Sequence, residues 1–305
     1  MQDWEKINAV SRMQKYIISH IDDEITMHDL SRIAGYSLWH SMRIFKEFLG
    51  KTPFEYIRAL RLTAAVRELR DLGEKVIDVA LNSGFGSHDG FTRAFSKQFD
   101  ITPKKYRQEK PPVGCFTYYP IRDYYLYTKK RNGKEMKNAF STTVTVQAVN
   151  RPSRKLILLR SQNATDYLSF CEENGCDWEG LLGSISEKFD NVAILELPAN
   201  LVKDGTSACA AGVEVPQDYS KPLPAGYETI DLSPCTMLYF CGTPFDNEED
   251  FCKAIDVVFE SIETYQPEGF GYAFSDDIAP KFNFGASHKA EAKLIAKVAV
   301  PVTVL

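Results

Sequence analysis

Residues 80–107 read ALNSGFGSHDGFTRAFSKQFDITPKKYR, and this stretch decides the fold of the first third of the chain. The run Val76–Ser83 has helical spacing and stops at Gly84, because glycine readily takes the left-handed conformation that ends a helix. Ser87 then offers a hydroxyl to the free backbone N–H groups of a second helix, His88–Phe99. Phe91, Phe95 and Phe99 recur at helical spacing and mark its inward face. Thr102-Pro103 opens a further helix, where proline is tolerated in the first turn. A short helix, a glycine turn and a second helix form the pattern of a DNA reader, although ordinary helical hairpins share it.

The pattern occurs twice. An offset of 50 lays Arg43 on Arg93, Phe45 on Phe95 and Thr52-Pro53-x-x-Tyr56 on Thr102-Pro103-x-x-Tyr106. Upstream, an offset of 49 lays Leu30 on Val79 and Gly35-Tyr36 on Gly84-Phe85. In the first copy a helix over Met27–Ala34 stops at Gly35, and Ser37 caps a helix over Leu38–Leu49. Ile44, Phe45, Phe48 and Leu49 make its inward stripe, leaving Trp39, Met42, Arg43 and Lys46 on the opposite face. In the second copy that face holds Asp89, Thr92, Arg93 and Ser96. A single exposed arginine is usually just solvated, but the same arginine in both repeats points to contact with guanine or phosphate. Between the copies, PFEYIRALRLTAAVRELRDL (Pro53–Leu72) predicts one helix of roughly 30 Å, close to the ~34 Å of a duplex turn. Its Arg58, Arg61, Arg67 and Arg70 either track phosphates or solvate the helix. A first helix over Trp4–Ile21 should pack on copy one.

With these residues in place, 4–108 resembles the DNA-binding domain of the AraC/XylS transcription factor family. The resemblance rests on Ala80-x-x-x-Gly84-Phe85-x-Ser87-x-x-x-Phe91-x-Arg93-x-Phe95-x-x-x-Phe99-x-x-Thr102-Pro103-x-x-Tyr106-Arg107. It implies an all-α N-terminal domain with two helix-turn-helix units joined by a long helix, bound to double-stranded DNA. The family's base-reading positions fall on Trp39, Met42 and Arg43, and then on His88, Asp89 and Arg93. Asp89 and Gly90 depart from the commoner polar amide or hydroxyl there. A carboxylate there suits the helix dipole but repels phosphate, so it either accepts from cytosine N4 or marks a weakly reading copy.

Charge divides along the same line. The net −5 of the 305 residues hides +7 over residues 1–140 and −12 over 141–305. Such asymmetry suggests two modules with different partners. Only +3 of the basic excess lies before residue 111, so the placement of arginines argues for DNA more than bulk basicity does. Residues 109–140, with a proline pair, five tyrosines and Lys129-Lys130-Arg131, read as a linker whose basic run either touches backbone or is solvated. The start MQDWEKINAV lacks a basic-then-apolar leader, and no window reaches the ~18–20 apolar residues of a membrane span. All seven cysteines lie beyond residue 110 without metal-ligand spacing, as expected of reduced cytoplasmic thiols.

The second half alternates strand and helix signals. Strands are expected at Thr142–Val149, Arg154–Arg160, Val192–Leu197, Thr206–Val215, Tyr227–Leu232, Thr236–Cys241, Lys281–Phe284 and Ala292–Val300, the last ending before Pro301. Helices are expected over Asp166–Phe189, broken near Gly175, and over Glu248–Tyr265. This predicts an α+β C-terminal domain with a mostly antiparallel sheet. Aromatics are dense, and Gly269-Phe270-Gly271-Tyr272-Ala273-Phe274 suits either an aromatic-walled pocket or plain core. No Gly-x-Ser-x-Gly or phosphate loop is present, and His288 stands alone.

Residues 142–302 resemble the gyrase-inhibitor-like effector-binding domain. The resemblance is carried by Gly212-Val213-Glu214-Val215-Pro216, Gly226-Tyr227-Glu228, Ser233–Phe240 and the ending Lys297–Val302. It implies a groove for small molecules, often aromatic or lipophilic cations. Where cation-binding relatives often place a glutamate, four before the terminal proline, this chain has Lys297. Lys293 shares its face, so either both lysines are solvated or the groove disfavours cations, with Glu214 or Glu196 still available as carboxylates. Trp178, Glu214, Tyr239, Tyr272, Phe274, Phe284 and Lys297 are the candidate ligand contacts.

The expected protein is a cytoplasmic one-component transcription regulator. Residues 1–108 would bind DNA, 109–140 would link, and 141–305 would sense a small-molecule effector and tune DNA affinity or contact with RNA polymerase. No catalytic residue, cofactor, metal or membrane partner is expected. Two alternatives for the C-terminal half are a small hydrolase and a protein-interaction module acting through its negative charge.

Overall fold

The computed structural model describes residues 2–122, 125, 143–246, 250–288 and 294–305. Its chain divides into two compact units, Met1–Lys129 and Lys130–Leu305. The first is helical: α1 (Gln2–Ser19), α2 (Met27–Ala34), α3 (Leu38–Leu49), α4 (Pro53–Arg67), α5 (Val76–Asn82), α6 (His88–Phe99) and α7 (Pro103–Glu109). The punctuation is local chemistry repeated. Gly35 ends α2 at φ +76°, and Ser37 accepts from His40 N at the start of α3. Ser87 does the same for α6 from Gly90 N. Thr52 and Thr102 cap α4 and α7, each followed by proline in the first turn.

Two cores form. Ile7, Val10, Met13 and Ile17 of α1 pack with Leu30, Ile44, Phe45 and Tyr56 around the first helix pair. Leu62, Val66, Leu69, Val79, Phe91, Phe95, Phe99 and Tyr106 pack around the second. The helix expected to run unbroken over Pro53–Leu72 is α-helical only to Arg67. Glu68–Leu72 form a wider π turn that ends at Gly73, and Lys110 Nζ donates to the Arg70 carbonyl there (2.6 Å). The stretch expected as a linker begins inside this unit, because Val113, Cys115 and Ile121 are buried in the two cores. Lys129-Lys130-Arg131 lies outside the described residues, as does Lys293.

Arg61, midway along α4, fixes this unit. Its guanidinium donates to the carbonyls of Ile21 (2.9 Å), Asp23 (2.6 Å) and Gly84 (3.4 Å), so one side chain ties the α1–α2 turn to the α5–α6 turn. Gly84 sits at φ +68°, and a Cβ there would lie 2.7 Å from Arg61 Nη1. The glycine therefore ends a helix and admits the arginine at once.

Among the described residues the second unit is a nine-stranded sheet: β1 (Thr145–Arg151), β2 (Arg154–Arg160), β3 (Ala193–Glu196), β4 (Cys209–Pro216), β5 (Tyr227–Leu232), β6 (Cys235–Cys241), β7 (Tyr272–Phe274), β8 (Lys281–His288) and β9 (Leu294–Val304). The order is β1-β6-β9-β8-β3-β4-β2-β5, with β7 on β9 and every described pairing antiparallel. Helices α8 (Tyr167–Asn174), α9 (Asp177–Gly183) and α10 (Phe251–Thr264) complete it. Several expectations change. The helical stretch expected over Asp166–Phe189 ends at Gly183, and the strand expected over Lys281–Phe284 continues to His288. Strand β9 runs through Pro301, whose fixed φ suits extended backbone and whose carbonyl accepts from Ser275 N (3.1 Å). Strand β7 falls within the aromatic-glycine run and is too short to show alternation.

Alternation along the strands sorts the side chains onto two faces. Ile157, Ala211, Val213 and Val215 meet Phe170, Trp178 and Leu182 of α8 and α9. Leu238, Phe240, Val298 and Val300 meet Ala254 and Val258 of α10. The opposite face carries Leu156, Leu158, Leu195, Met237, Tyr239, Phe282 and Phe284; it is buried although none of α8, α9 and α10 packs on it, with Leu201 and Val202 after β3 and Ile278 and Ala279 before β8 covering part of it. The sheet must curl over this face. Strands β1 and β4 stand five places apart, roughly 24 Å on a flat sheet at about 4.8 Å per strand. In the folded chain Arg151 at the end of β1 reaches Glu214 of β4 at 3.2 Å.

Close approach also explains Gly212, where a Cβ would sit 2.7 Å from Leu195 Cδ1 and 2.8 Å from the Ile157 carbonyl. Gly212→Ala should lower stability by about 1–3 kcal/mol through overpacking, measured by urea unfolding. Burial pushes the Glu179 carboxyl up to about 7. Its folded pKa exceeds its unfolded one, so the folded state loses stability as pH rises from the ordinary carboxylate range through about 7. Glu179→Gln should raise the melting temperature at pH 8 and leave it nearly unchanged at pH 4, as followed by thermal melts at both values.

Candidate functional site

The outward faces of α3 and α6 present the first site. Ile44 and Phe45 turn inward, so Arg43 and Lys46 are exposed, Met42 is half-buried and Trp39 is 82% exposed. An indole left in solvent is unusual, since burying such a side chain is favourable wherever a core can take it. Arg43 Nη2 lies 3.2 Å from His40 Nδ1, one helical turn back. On α6, Phe91, Phe95 and Phe99 are buried, and His88, Asp89 and Arg93 are exposed. Arg93 Nε donates to the Asp89 carbonyl (3.3 Å), and His88 Nδ1 lies 3.6 Å from Asp89 Oδ1. All seven sequence-derived DNA positions thus lie on the solvent side of two similarly capped helices. Of the four arginines expected along Pro53–Leu72, Arg61 is engaged internally, Arg70 in the π turn pairs with Asp71 (2.6 Å), and Arg58 and Arg67 are exposed.

The inner face of the sheet holds the second site. Glu214 is 4% exposed, and its two oxygens meet Arg154 Nε and Arg151 Nε. Arg154 is fully buried. Its Nη1 donates to the carbonyls of Pro152 (3.2 Å) and Ser233 (2.8 Å), and its Nη2 to Cys235 Sγ (3.3 Å). Arg151 also donates to the Tyr239 hydroxyl and reaches Asp190 (3.5 Å). Lys297 Nζ pairs with Asp190 and stands 4.3 Å from the Phe284 ring centre and 5.7 Å from that of Tyr239. The Tyr239 and Phe284 rings are 6.0 Å apart and nearly parallel. Burial first, and Asp190 and Glu214 with it, hold the Tyr239 hydroxyl well above the usual phenol range, against the opposing pull of Arg151.

Four of the seven expected ligand residues, Glu214, Tyr239, Phe284 and Lys297, therefore come together. The other three stand apart. Trp178 packs on Phe170 beneath α8 and α9 on the other face, Tyr272 lies against the α10 side, and Phe274 is partly exposed on β7. Glu196 pairs with Lys281 (3.6 Å). Among the described residues no group of histidine, cysteine and carboxylate side chains could hold a metal, and no helix is long and apolar enough to cross a membrane.

Residues 30–109 match a helix-turn-helix domain family. The chain is 37% identical over 113 residues to the probable transcription factor PqrA of Proteus vulgaris, spanning 93% of that protein and 36% of this one. The chain belongs to the AraC family of transcription regulators. It is also 40% identical over 93 residues to the transcriptional regulator Rob of Salmonella typhimurium, where the match spans 32% of that protein and 30% of this chain. A solved AraC-type transcriptional regulator from Chromobacterium violaceum aligns at 25% identity and a TM-score of 0.32, covering 33% of this chain and 91% of that one.

Sequence reasoning missed Arg151, Arg154 and Asp190 in this AraC-family chain. One signal was available: two arginines bracket Pro152-Ser153 between strand-like runs, a costly place for charge unless it is paired. The exposure of Trp39 makes a separable prediction. Trp39→Ala should change stability by no more than about 0.5 kcal/mol, whereas Phe95→Ala should cost about 3–5 kcal/mol, both read from denaturant unfolding.

Proposed function

We propose that this AraC-family chain is a one-component transcription regulator that reads double-stranded DNA with α3 and α6 as the recognition helices of two helix-turn-helix units. The observation that carries this reading is the repeated placement of Arg43 and Arg93 on the exposed faces of two helices with the same serine cap. The span Pro53–Leu72 between the pairs supplies roughly 30 Å, enough to set them in successive major grooves on one side of a duplex. Trp39, Met42 and Lys46 accompany Arg43, and His88 and Asp89 accompany Arg93. Phosphate contacts supply most of the affinity in such an interface, and base contacts supply its register.

In this reading, residues 1–108 form the DNA-binding domain, with the segment to residue 122 packed against it, and 141–305 form a gyrase-inhibitor-like effector-binding domain. The curled inner face around Glu214, Tyr239, Phe284 and Lys297 is its ligand site. Effector binding there tunes DNA affinity or contact with RNA polymerase in the cytoplasm. Both oxygens of the Glu214 carboxylate are engaged by arginines, which leaves neither placed to take a proton from a bound water and favours binding over hydrolysis. Arg43→Ala should weaken binding to the cognate site by about 1–3 kcal/mol and relax base preference at one position, measured by fluorescence anisotropy at fixed salt. Unchanged binding would remove α3 from the groove.

A further inference from the structure

We propose that the inner face of the sheet takes a small aromatic carboxylate, held by Lys297 and Arg151 against the Tyr239 and Phe284 rings, and that Lys297 turns cations away. This rests on the reading of that face as the effector site. A ligand cation would sit over an aromatic face, about where the Lys297 ammonium stands, 4.3 Å from the Phe284 ring centre. The chain thus fills its own cation position with a group tethered to β9. A second cation would have to expel it and add to Arg151, Arg154 and Lys297, which already outnumber the carboxylates Asp190 and Glu214.

The two carboxylates differ in how far they can be exchanged. Glu214 is buried on a central strand and bridges both arginines, and Arg154 has every guanidinium nitrogen engaged. Asp190 lies between α9 and β3 rather than on a strand, pairs with Lys297, and touches Arg151 only at 3.5 Å. A ligand carboxylate can take over that role with no change in charge count. Arg151 and Lys297 both also lie against Tyr239, so an anion bound between them carries its ring onto the same aromatic wall. Charge-assisted hydrogen bonds to both cations set the preference for an anion over a neutral ring.

Calorimetric titration of the full chain with 1-naphthoate, 1-naphthylmethanol and 1-naphthylmethyl-trimethylammonium tests this, because the three share one ring and differ in charge. The expected result is naphthoate binding roughly tenfold or more tighter than the alcohol, with no ammonium binding. Lys297→Met should cost naphthoate a similar factor, and Asp190→Asn should tighten it, a gain that misfolding cannot produce. Binding of the alcohol or the ammonium as tightly as naphthoate, or naphthoate affinity unmoved in both variants, overturns the charge assignment and leaves the effector site standing. No binding of any of the three overturns both.

Discussion

The ion pairs between Glu214 and the two arginines Arg151 and Arg154 are the constraint on which the C-terminal unit depends. Arg154 pairs with Glu214 across the adjacent strands β2 and β4, whereas Arg151 on β1 stands five places from β4, so its pair forms only if the sheet curls. Once it has curled, the apolar side chains of its inner face are covered by the sheet itself together with Leu201, Val202, Ile278 and Ala279, and not by α8, α9 or α10. A buried ion pair of this kind is a weak source of net stability, since desolvation offsets much of the Coulomb gain. Its effect here is geometric. Removing one partner would leave a charge buried in a dry interior, a penalty of about 3–5 kcal/mol, so alternative sheet curvatures are strongly disfavoured. Gly212 acts toward the same end, letting Leu195 and the Ile157 carbonyl approach where any side chain would hold them off.

That closure also gathers the chemistry. Tyr239, Phe284 and Lys297 belong to three adjacent strands and Arg151 to the next one, β1, so the curl is what brings Glu214 of β4 to the same cluster. The helical unit handles charge differently. Arg43 and Arg93 are exposed and its core is almost wholly aliphatic and aromatic, so their long-range field is screened by salt as that of the inner-face cluster is not.

The parts of the fold that could be read from the sequence are those fixed by neighbours along the chain. Gly35 and Gly84, Ser37 and Ser87, and the Phe91-Phe95-Phe99 stripe each act within one or two helical turns, so spacing alone located the helices. Repetition then picked out Arg43 and Arg93. In the sheet, by contrast, the pairing of Arg151 with Glu214 depends on strand order and register, which no local pattern encodes. Aromatic composition could not separate Trp178, packed under the helices, from Tyr239 and Phe284 on the inner face, because both environments favour the same side chains. Pro301 misled for a related reason: it removes a donor, but a strand tolerates that where the partner needs only its carbonyl.

Arg61 has a consequence for the way the helical unit could engage a duplex. Its three carbonyl contacts lock the α1–α2 turn and the α5–α6 turn to one point on α4. A clamp with a fixed jaw width cannot follow changes in what it grips. If α3 and α6 are the recognition helices, as proposed above, helices held in this way would meet a duplex at a preset phase, and the mechanical work of matching that phase would fall on the DNA. Stiffness of the base steps lying between the two contacted grooves would then enter the selection of a site, although no side chain touches them.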